Sequence, residues 1–264
     1  MLYPLLSQYI GFPLLGVILN GLYYGLILVG ITAAGTFFMG QLVRAGYPVS
    51  RLRTFAVGMI LMVFPLGLIG SRSANMFYFP ADQWSVRFFV EQFLSGPHQT
   101  FHGALILPVV FLLALGHGCG FGKRHLADAL FVSIPLGHAI GRCGCLLVGC
   151  CWGHLIQFSW HGRVVSFHNP VPLYAIGLNL FLFWGLKSMY HRVYVKKQGG
   201  LARGMIPSFY LIGYGAFRFL LEEIRTETIV GQGLTLAQWS MLVFMGLGVI
   251  AGVVMHGTSS SEEP

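Results

Sequence analysis

The chain has 264 residues, 55% of them hydrophobic and only 9% charged, with a mean hydropathy of +0.72. Soluble domains carry about 25% charged residues, so this composition excludes an ordinary water-soluble protein and places most of the surface in lipid. The formal charge of +8 would suit a nucleic-acid binder. The basic residues, however, fall in loops beside apolar stretches, where they set topology and meet anionic headgroups.

The N-terminal MLYPLLSQYIGFP has no basic residue ahead of its apolar part and no small-residue cleavage site, so it reads as mature protein and not as a signal peptide. Seven apolar stretches follow, at Leu14–Phe38, Phe55–Ile69, Phe101–Leu115, Ala127–Leu147, Val171–Met189, Met205–Leu221 and Leu236–Met255. A hydrocarbon core of about 30 Å is crossed by about 20 helical residues, so the expected architecture is an all-α integral membrane protein. It would have about seven transmembrane helices and a small head region on the outer side, in one polytopic domain over residues 1–264. Pro65, Pro108, Pro135, Pro172 and Pro207 fall inside or at the edges of these spans. Membrane helices tolerate them because neighbours satisfy the freed backbone groups.

The loops alternate in charge. Arg44, Arg51 and Arg53 follow the first span, Lys123 and Arg124 the third, and Lys187, Arg192, Lys196, Lys197 and Arg203 surround the turn after the fifth. These are ten of the sixteen basic residues and include every lysine. The positive-inside rule makes those loops cytoplasmic, with the N-terminus outside and the C-terminal SSSEEP inside. The other six are arginines at outer span ends or in outer loops: Arg72, Arg87, Arg142, Arg163, Arg218 and Arg225. Topology does not account for them there, and an arginine at the membrane edge needs a partner or a task.

Arg142 lies in GHAIGRCGCLLVGCCWG, late in the fourth span. Arg218 lies in YGAFRFLLEEIR, where Tyr214, Arg218 and Glu222 share one helix face at i, i+4 and i+8. A structural Arg218–Glu222 ion pair is one reading. The other is a phosphate clamp, because guanidinium groups bind phosphate bidentately and stay charged. His102, in TFHGAL, is either a helix-start polar group or a proton acceptor near neutral pH. His98, His138, His154, His161 and His168 are further candidates for the same role.

Taken in order, these segments resemble the prolipoprotein diacylglyceryl transferases of bacterial inner membranes. YYGLILVGI around Tyr24 resembles the family's tyrosine–glycine segment, and GSRSANMFYF around Arg72 its arginine–tyrosine segment. FHGAL resembles the histidine–glycine–glycine motif with Ala104 for the second glycine, and Gly141–Gly153 stands in the place of the family signature, keeping Gly141, Arg142, Gly144 and Gly153. NPVPLY resembles the His-Pro-Ser-Gln-Leu-Tyr segment with Asn169 for the histidine, and YGAFR with Glu222, then GLTLAQW, complete the set.

The resemblance implies transfer of the diacylglyceryl group of phosphatidylglycerol to a lipobox cysteine thiol of a prolipoprotein, with release of glycerol 1-phosphate. By position it implies phosphate binding by Arg142 and Arg218, thiol deprotonation assisted by His102, and a headgroup site shaped by Tyr24. Arg72, Gly153, Tyr214 and Glu222 join the substrate site. No cofactor or metal is implied; the implied partners are the lipid, the prolipoprotein or another thiol acceptor, and the bilayer.

This chain departs from the family pattern at Cys145, Val148 and Cys150, where two asparagines and a glutamate are usual, and at Ala175, where a glutamate is usual. The phosphate clamp is kept while acceptor handling is altered, so a paralogue with a different acceptor and a non-catalytic phospholipid-binding protein stand as alternatives. The cysteines permit four readings. Cys145 belongs to a small-residue stripe with Gly137, Gly141, Gly149 and Gly153. The thiols could instead form a disulfide in an oxidising compartment, hold a metal through C-x-C-x₄-C-C without the usual paired C-x₂-C spacing, or carry the diacylglyceryl group transiently.

Overall fold

The computed structural model describes residues 13–74, 76, 79, 85–95, 100–161, 163–197, 202–225, 229–231 and 233–259. Eight α-helices account for most of them: α1 Pro13–Arg44, α2 Val49–Ala74, α3 Val86–Ser95, α4 Phe101–Gly118, α5 Lys123–Val148, α6 Val171–Tyr190, α7 Ile206–Glu222 and α8 Leu236–Ser259. A π-helical turn at His191–Val195 extends α6. Two antiparallel hairpins are added, β1 Leu155–Trp160 with β2 Arg163–His168, and β3 Ile229–Gly231 with β4 Leu234–Thr235.

Among the described residues six helices are long and apolar enough to cross a membrane: Ile18–Arg44, Val49–Ala74, Phe101–Gly118, Lys123–Val148, Val171–Val195 and Leu236–Gly257. Large apolar side chains stand out from them, Ile60 at 72%, Phe181 at 69% and Val253 at 69% exposure. That outward apolar face, together with the spans, makes this an all-α integral membrane protein of the multi-pass kind. The sixth predicted span, Met205–Leu221, corresponds to α7, which has 17 residues. At 1.5 Å per residue it extends about 26 Å, at the short end of the roughly 17–25 residues with which helices cross a bilayer. Pro65, Pro108 and Pro135 lie within continuous helices, whereas Pro172 and Pro207 occupy first-turn positions of α6 and α7. A first-turn proline costs no hydrogen bond.

Tertiary contacts divide the chain into two compact units, one of Met1–Phe38 with Asp128–Pro264, the other Met39–Ala127. In the second, α2 packs along α4 through glycine. A Cβ on Gly70 would run into the Gly103 carbonyl, and one on Gly103 into Gly70 and Ala74. Thr100 Oγ1 donates to the Ser71 carbonyl at 3.1 Å beside this contact. At the other end of the pair the Tyr47 hydroxyl accepts the Gly122 N–H at 3.1 Å, with the Tyr47 and Phe121 rings 4.6 Å apart.

In the first unit, α1 and α5 meet where a Cβ on Gly30 would lie 2.6 Å from the Gly137 carbonyl oxygen. Buried Asp128 accepts from the Tyr194 hydroxyl and the Gly204 N–H, both at 2.7 Å, and from the Ile206 N–H at 3.0 Å. One carboxylate thereby ties α5 to the π-turn and to the N-terminus of α7, where unpaired N–H groups need an acceptor. Thr235 and Gln238 form a reciprocal capping box at the start of α8, Thr235 Oγ1 accepting from Gln238 N at 3.1 Å and Gln238 Oε1 from Thr235 N at 2.9 Å.

The β1–β2 hairpin pairs from Leu155↔His168 to Trp160↔Arg163. Apolar and polar residues alternate through IQFSW and through VSFH, on either side of a turn that contains a His-Gly pair. That is a hairpin signal to which hydropathy averaged over a span length is blind.

Candidate functional site

The signature lies on the last turns of α5 and the turn beyond them. Gly149, at φ 75°, ends the helix, and the N–H of Cys150 reaches back to the Cys145 carbonyl at 3.1 Å. This i to i+5 bond belongs to the Schellman termination, which lays the residue after the glycine over the helix's last full turn. Cys150 is thus brought over Cys145. Cys151 follows at φ 62°, a left-handed conformation uncommon for a residue with a side chain. The sulfurs of Cys145, Cys150 and Cys151 come within 4.8 Å of one another. Cys143 points elsewhere, its Sγ on the Ala139 carbonyl at 3.6 Å, and all five cysteines are free thiols. The thiols of Cys145 and Cys150 hydrogen-bond to that of Cys151 and, with the nearby Arg142 and Arg225 guanidinium groups, hold its pKa well below the ordinary thiol value.

Arg142 connects this cluster to a cavity. Its Nε donates to His138 Nε2 at 3.1 Å, which requires the lone pair of the imidazole to sit on Nε2. Its second guanidinium edge lies 3.9 Å from Cys145 Sγ. The cavity, small at about 20 Å³, lies between α5, α6 and α7 and is lined by His138, Arg142, Ala175, Leu178, Asn179, Tyr214, Phe217, Arg218 and Leu221. No carboxylate is among these lining residues, because Ala175 occupies the position where the family resemblance anticipates an acid. Asn179 is buried, its Nδ2 spent on the Ala175 carbonyl at 2.7 Å.

Arg218 forms the predicted ion pair with Glu222, and Arg225 approaches the same carboxylate, Nε to Oε2 at 3.8 Å. The Glu222 side chain is 1% exposed, those of Arg218 and Arg225 12% and 14%. Thr235 Oγ1 donates to Glu222 Oε1 at 3.3 Å. The ion-pair reading of Arg218 is thus seen directly, and the same residue also lines the cavity. Tyr214 lies one turn before, its ring 5.5 Å from that of His138.

Gly153 acts by closeness. Its N–H donates to the Asn169 carbonyl at 2.9 Å, it bridges to Arg225, and a Cβ there would meet the Ile224 carbonyl, Asn169 and Val171. It pins the β1–β2 hairpin against the end of α7. On α1, Tyr24 is 47% exposed while its neighbour Tyr23 lies against Gly144, within electrostatic reach of the three cysteines and Arg142. Motif reading passes over Tyr23 and leaves His138 as one histidine among several. A helical-face argument placing His138 one turn before Arg142 would single it out.

The structure brings Arg142, Arg218, Tyr214, Glu222 and Gly153 into one neighbourhood of the first unit. His102 and Arg72 belong to the second unit. His102 opens α4 beside Phe101, and Arg72 is in the last turn of α2. Since Ser71 is bonded to Thr100, these two residues share one end of the α2–α4 pair. His154, His161 and His168 are exposed around the hairpin. His98, the N-terminal MLYPLLSQYIGF, the C-terminal SSEEP, and Asn75, Phe77 and Tyr78 of the arginine–tyrosine segment lie outside the described residues.

A family model described as prolipoprotein diacylglyceryl transferase matches residues 17–254. A relative from Lactococcus lactis subsp. lactis is 27% identical over 219 residues, covering 74% of this chain and 76% of its own. One from Bordetella parapertussis is 32% identical over 162 residues, covering 57% of this chain and 59% of its own. A third, from Streptococcus pyogenes serotype M5, is 26% identical over 208 residues, covering 71% and 74%. All three are named phosphatidylglycerol–prolipoprotein diacylglyceryl transferase.

Proposed function

The chain belongs to the prolipoprotein diacylglyceryl transferase family, and from that premise we propose that it transfers the diacylglyceryl group of phosphatidylglycerol to the lipobox cysteine thiol of a prolipoprotein, releasing glycerol 1-phosphate. The observation that carries this reading is the cavity with Arg142 and Arg218 on its wall and no carboxylate among its lining residues. Such a site favours a phosphate diester, and favours it more as charge develops on the leaving phosphate. Fixed donors at that position commonly contribute 10²–10³-fold in rate, as an order of magnitude.

In the reaction, the acceptor thiol gives its proton to a base and the sulfur attacks the glyceryl carbon. The C–O bond to phosphorus breaks, and its electron pair leaves on the phosphate oxygen. Arg142 and Arg218 neutralise that oxygen, while His138 holds Arg142 in register through Nε. His102 takes the proton, a role supported by its place in the FHGAL segment and by imidazole chemistry. Tyr24, Arg72 and Tyr214 border the headgroup, Glu222 orients Arg218, and Gly153 holds the hairpin in place. The enzyme works on the outer face of a bacterial inner membrane with its C-terminus in the cytoplasm, as the clustering of all four lysines in the predicted inner loops supports.

Purified protein incubated with labelled phosphatidylglycerol and a lipobox peptide should yield a thioether-linked diacylglyceryl peptide and glycerol phosphate. A folded protein that forms neither overturns the proposal. Glycerol phosphate released without peptide product, in the presence of a cell extract, would move the acceptor from prolipoprotein to another molecule.

A further inference from the structure

We propose that Cys145, Cys150 and Cys151 form a three-thiolate site for zinc(II), whose open fourth position takes the acceptor thiol. The second half of this proposal rests on the transferase reading above; the first half stands without it.

Three observations converge. The first is distance. Zinc–sulfur bonds of about 2.3 Å in a tetrahedral arrangement set neighbouring sulfurs about 3.8 Å apart, and the three sulfurs here lie within 4.8 Å of one another. A small contraction around an ion completes the site.

The second is the backbone. Gly149 at φ 75° and the bond from Cys150 N to the Cys145 carbonyl fold the second thiol over the first. A disulfide would need only those two. The third thiol is delivered by Cys151 at φ 62°, a conformation in which the Cβ crowds the following carbonyl oxygen. A strained residue that adds a third sulfur to a pair is accounted for by a ligand that uses three.

The third is charge. Three thiolates around a divalent cation carry one net negative charge, and the Arg142 guanidinium lies 3.9 Å from Cys145 Sγ to balance it. A disulfide is neutral and offers Arg142 nothing.

Three protein ligands with one position open is the arrangement of catalytic zinc, whereas structural zinc is closed by four. The reaction class supplies a fourth ligand, since its nucleophile is itself a thiol. Coordination lets that thiol lose its proton near neutral pH, which a free thiol with a pKa of about 8.5 does poorly. The proton passes to the base. The sulfur then bonds to the glyceryl carbon, and the carbon–oxygen bond to phosphate breaks. The metal changes neither charge nor oxidation state. Arg142 borders both the cluster and the phosphate cavity, so the coordinated thiolate and the phosphate are separated by one side chain. The metal site would thereby stand where the family resemblance anticipates polar residues, at Cys145 and Cys150.

The test uses the full-length protein purified in detergent, reduced and free of chelator. Elemental analysis should find one zinc per chain, and zinc-depleted protein given cobalt(II) should show thiolate-to-cobalt charge-transfer absorption in the near ultraviolet. Both signals should vanish in Cys145→Ala, Cys150→Ala and Cys151→Ala, and persist in Cys119→Ser and Cys143→Ser. Adding a lipobox peptide should shift the cobalt spectrum, and its cysteine-to-serine counterpart should leave it unchanged. The metal site is overturned if reduced wild-type protein binds neither ion, if binding survives the three substitutions, or if intact mass shows a disulfide within the cluster in freshly isolated protein. A cobalt spectrum indifferent to the peptide thiol removes the acceptor role. Transfer activity in metal-free protein also removes that role while leaving the proposed function standing; bound zinc without transfer overturns the proposed function and leaves the metal site.

Discussion

Arg142 touches His138 on one edge and Cys145 on the other while lining the cavity, so no other basic side chain can take its place. Lysine keeps the charge but not the planar fork that fits two partners at once. Arg142→Ala should lower transfer about 10²–10³-fold, and Arg142→Lys should recover only a small part of that loss, measured as kcat on phosphatidylglycerol with a lipobox peptide. Arg218 differs because its partner is buried: the Glu222 side chain is 1% exposed. Removing one member of a buried pair costs up to about 3–5 kcal/mol, of which Arg225, 3.8 Å from the same carboxylate, offsets a part. Arg218→Ala should therefore lower thermal stability in detergent as well as activity, and adding Glu222→Gln should restore stability without restoring activity. Equal melting of single and double variants would contradict this.

At the scale of elements, glycine decides which helices can meet. Gly103 stands against the Gly70 backbone, whereas a Cβ added to Gly118 would meet nothing within 4 Å. Gly103→Val should separate α2 from α4 and destabilise the protein by about 1–3 kcal/mol, the range for overpacking. Gly118→Ala, in contrast, should change stability by no more than about 0.5 kcal/mol, as surface changes do, and leave the melting temperature close to that of wild type. Gly149 is a turn glycine of another kind, required for its positive φ. Gly149→Ala should cost about 1 kcal/mol through the left-handed backbone and disperse the thiols, read as faster alkylation of Cys145 by a maleimide. The stripe of small residues in the signature was legible in part. Gly137 does bring α5 against Gly30, but the next close approach is Gly144 against Tyr23, and Cys145 turns to the thiol cluster.

For the whole molecule, the expected topology puts the loop around Arg192–Arg203 in the cytoplasm. A reporter active only in the cytoplasm should function when inserted after Lys197, and one active only outside should function in the β1–β2 turn. The reverse pattern would invert the protein and remove the outer-side site. Six of the described helices have 18 residues or more and are apolar enough to cross the bilayer, and α7, at 17 residues, is at the short end of what crosses it.

Membrane embedding, the helical spans, the loop charge pattern and the family were legible in the order of residues, because each depends on composition or on neighbours within a few turns. The ion pair of Arg218 and Glu222 was legible for the same reason: i and i+4 share a helix face. Three things required the tertiary structure. Tyr23, the neighbour of the Tyr24 that the motif singles out, lies against Gly144 of α5 because the rotation of α1 follows from Gly30 meeting Gly137, a contact between residues far apart in sequence. The cavity exists because α5, α6 and α7 converge on it, with Ala175 clearing a place on its wall. The three thiols meet because a glycine-ended helix turns back upon itself and a left-handed residue carries the third sulfur inward. Spacing announced the cysteines, and backbone geometry gathered them.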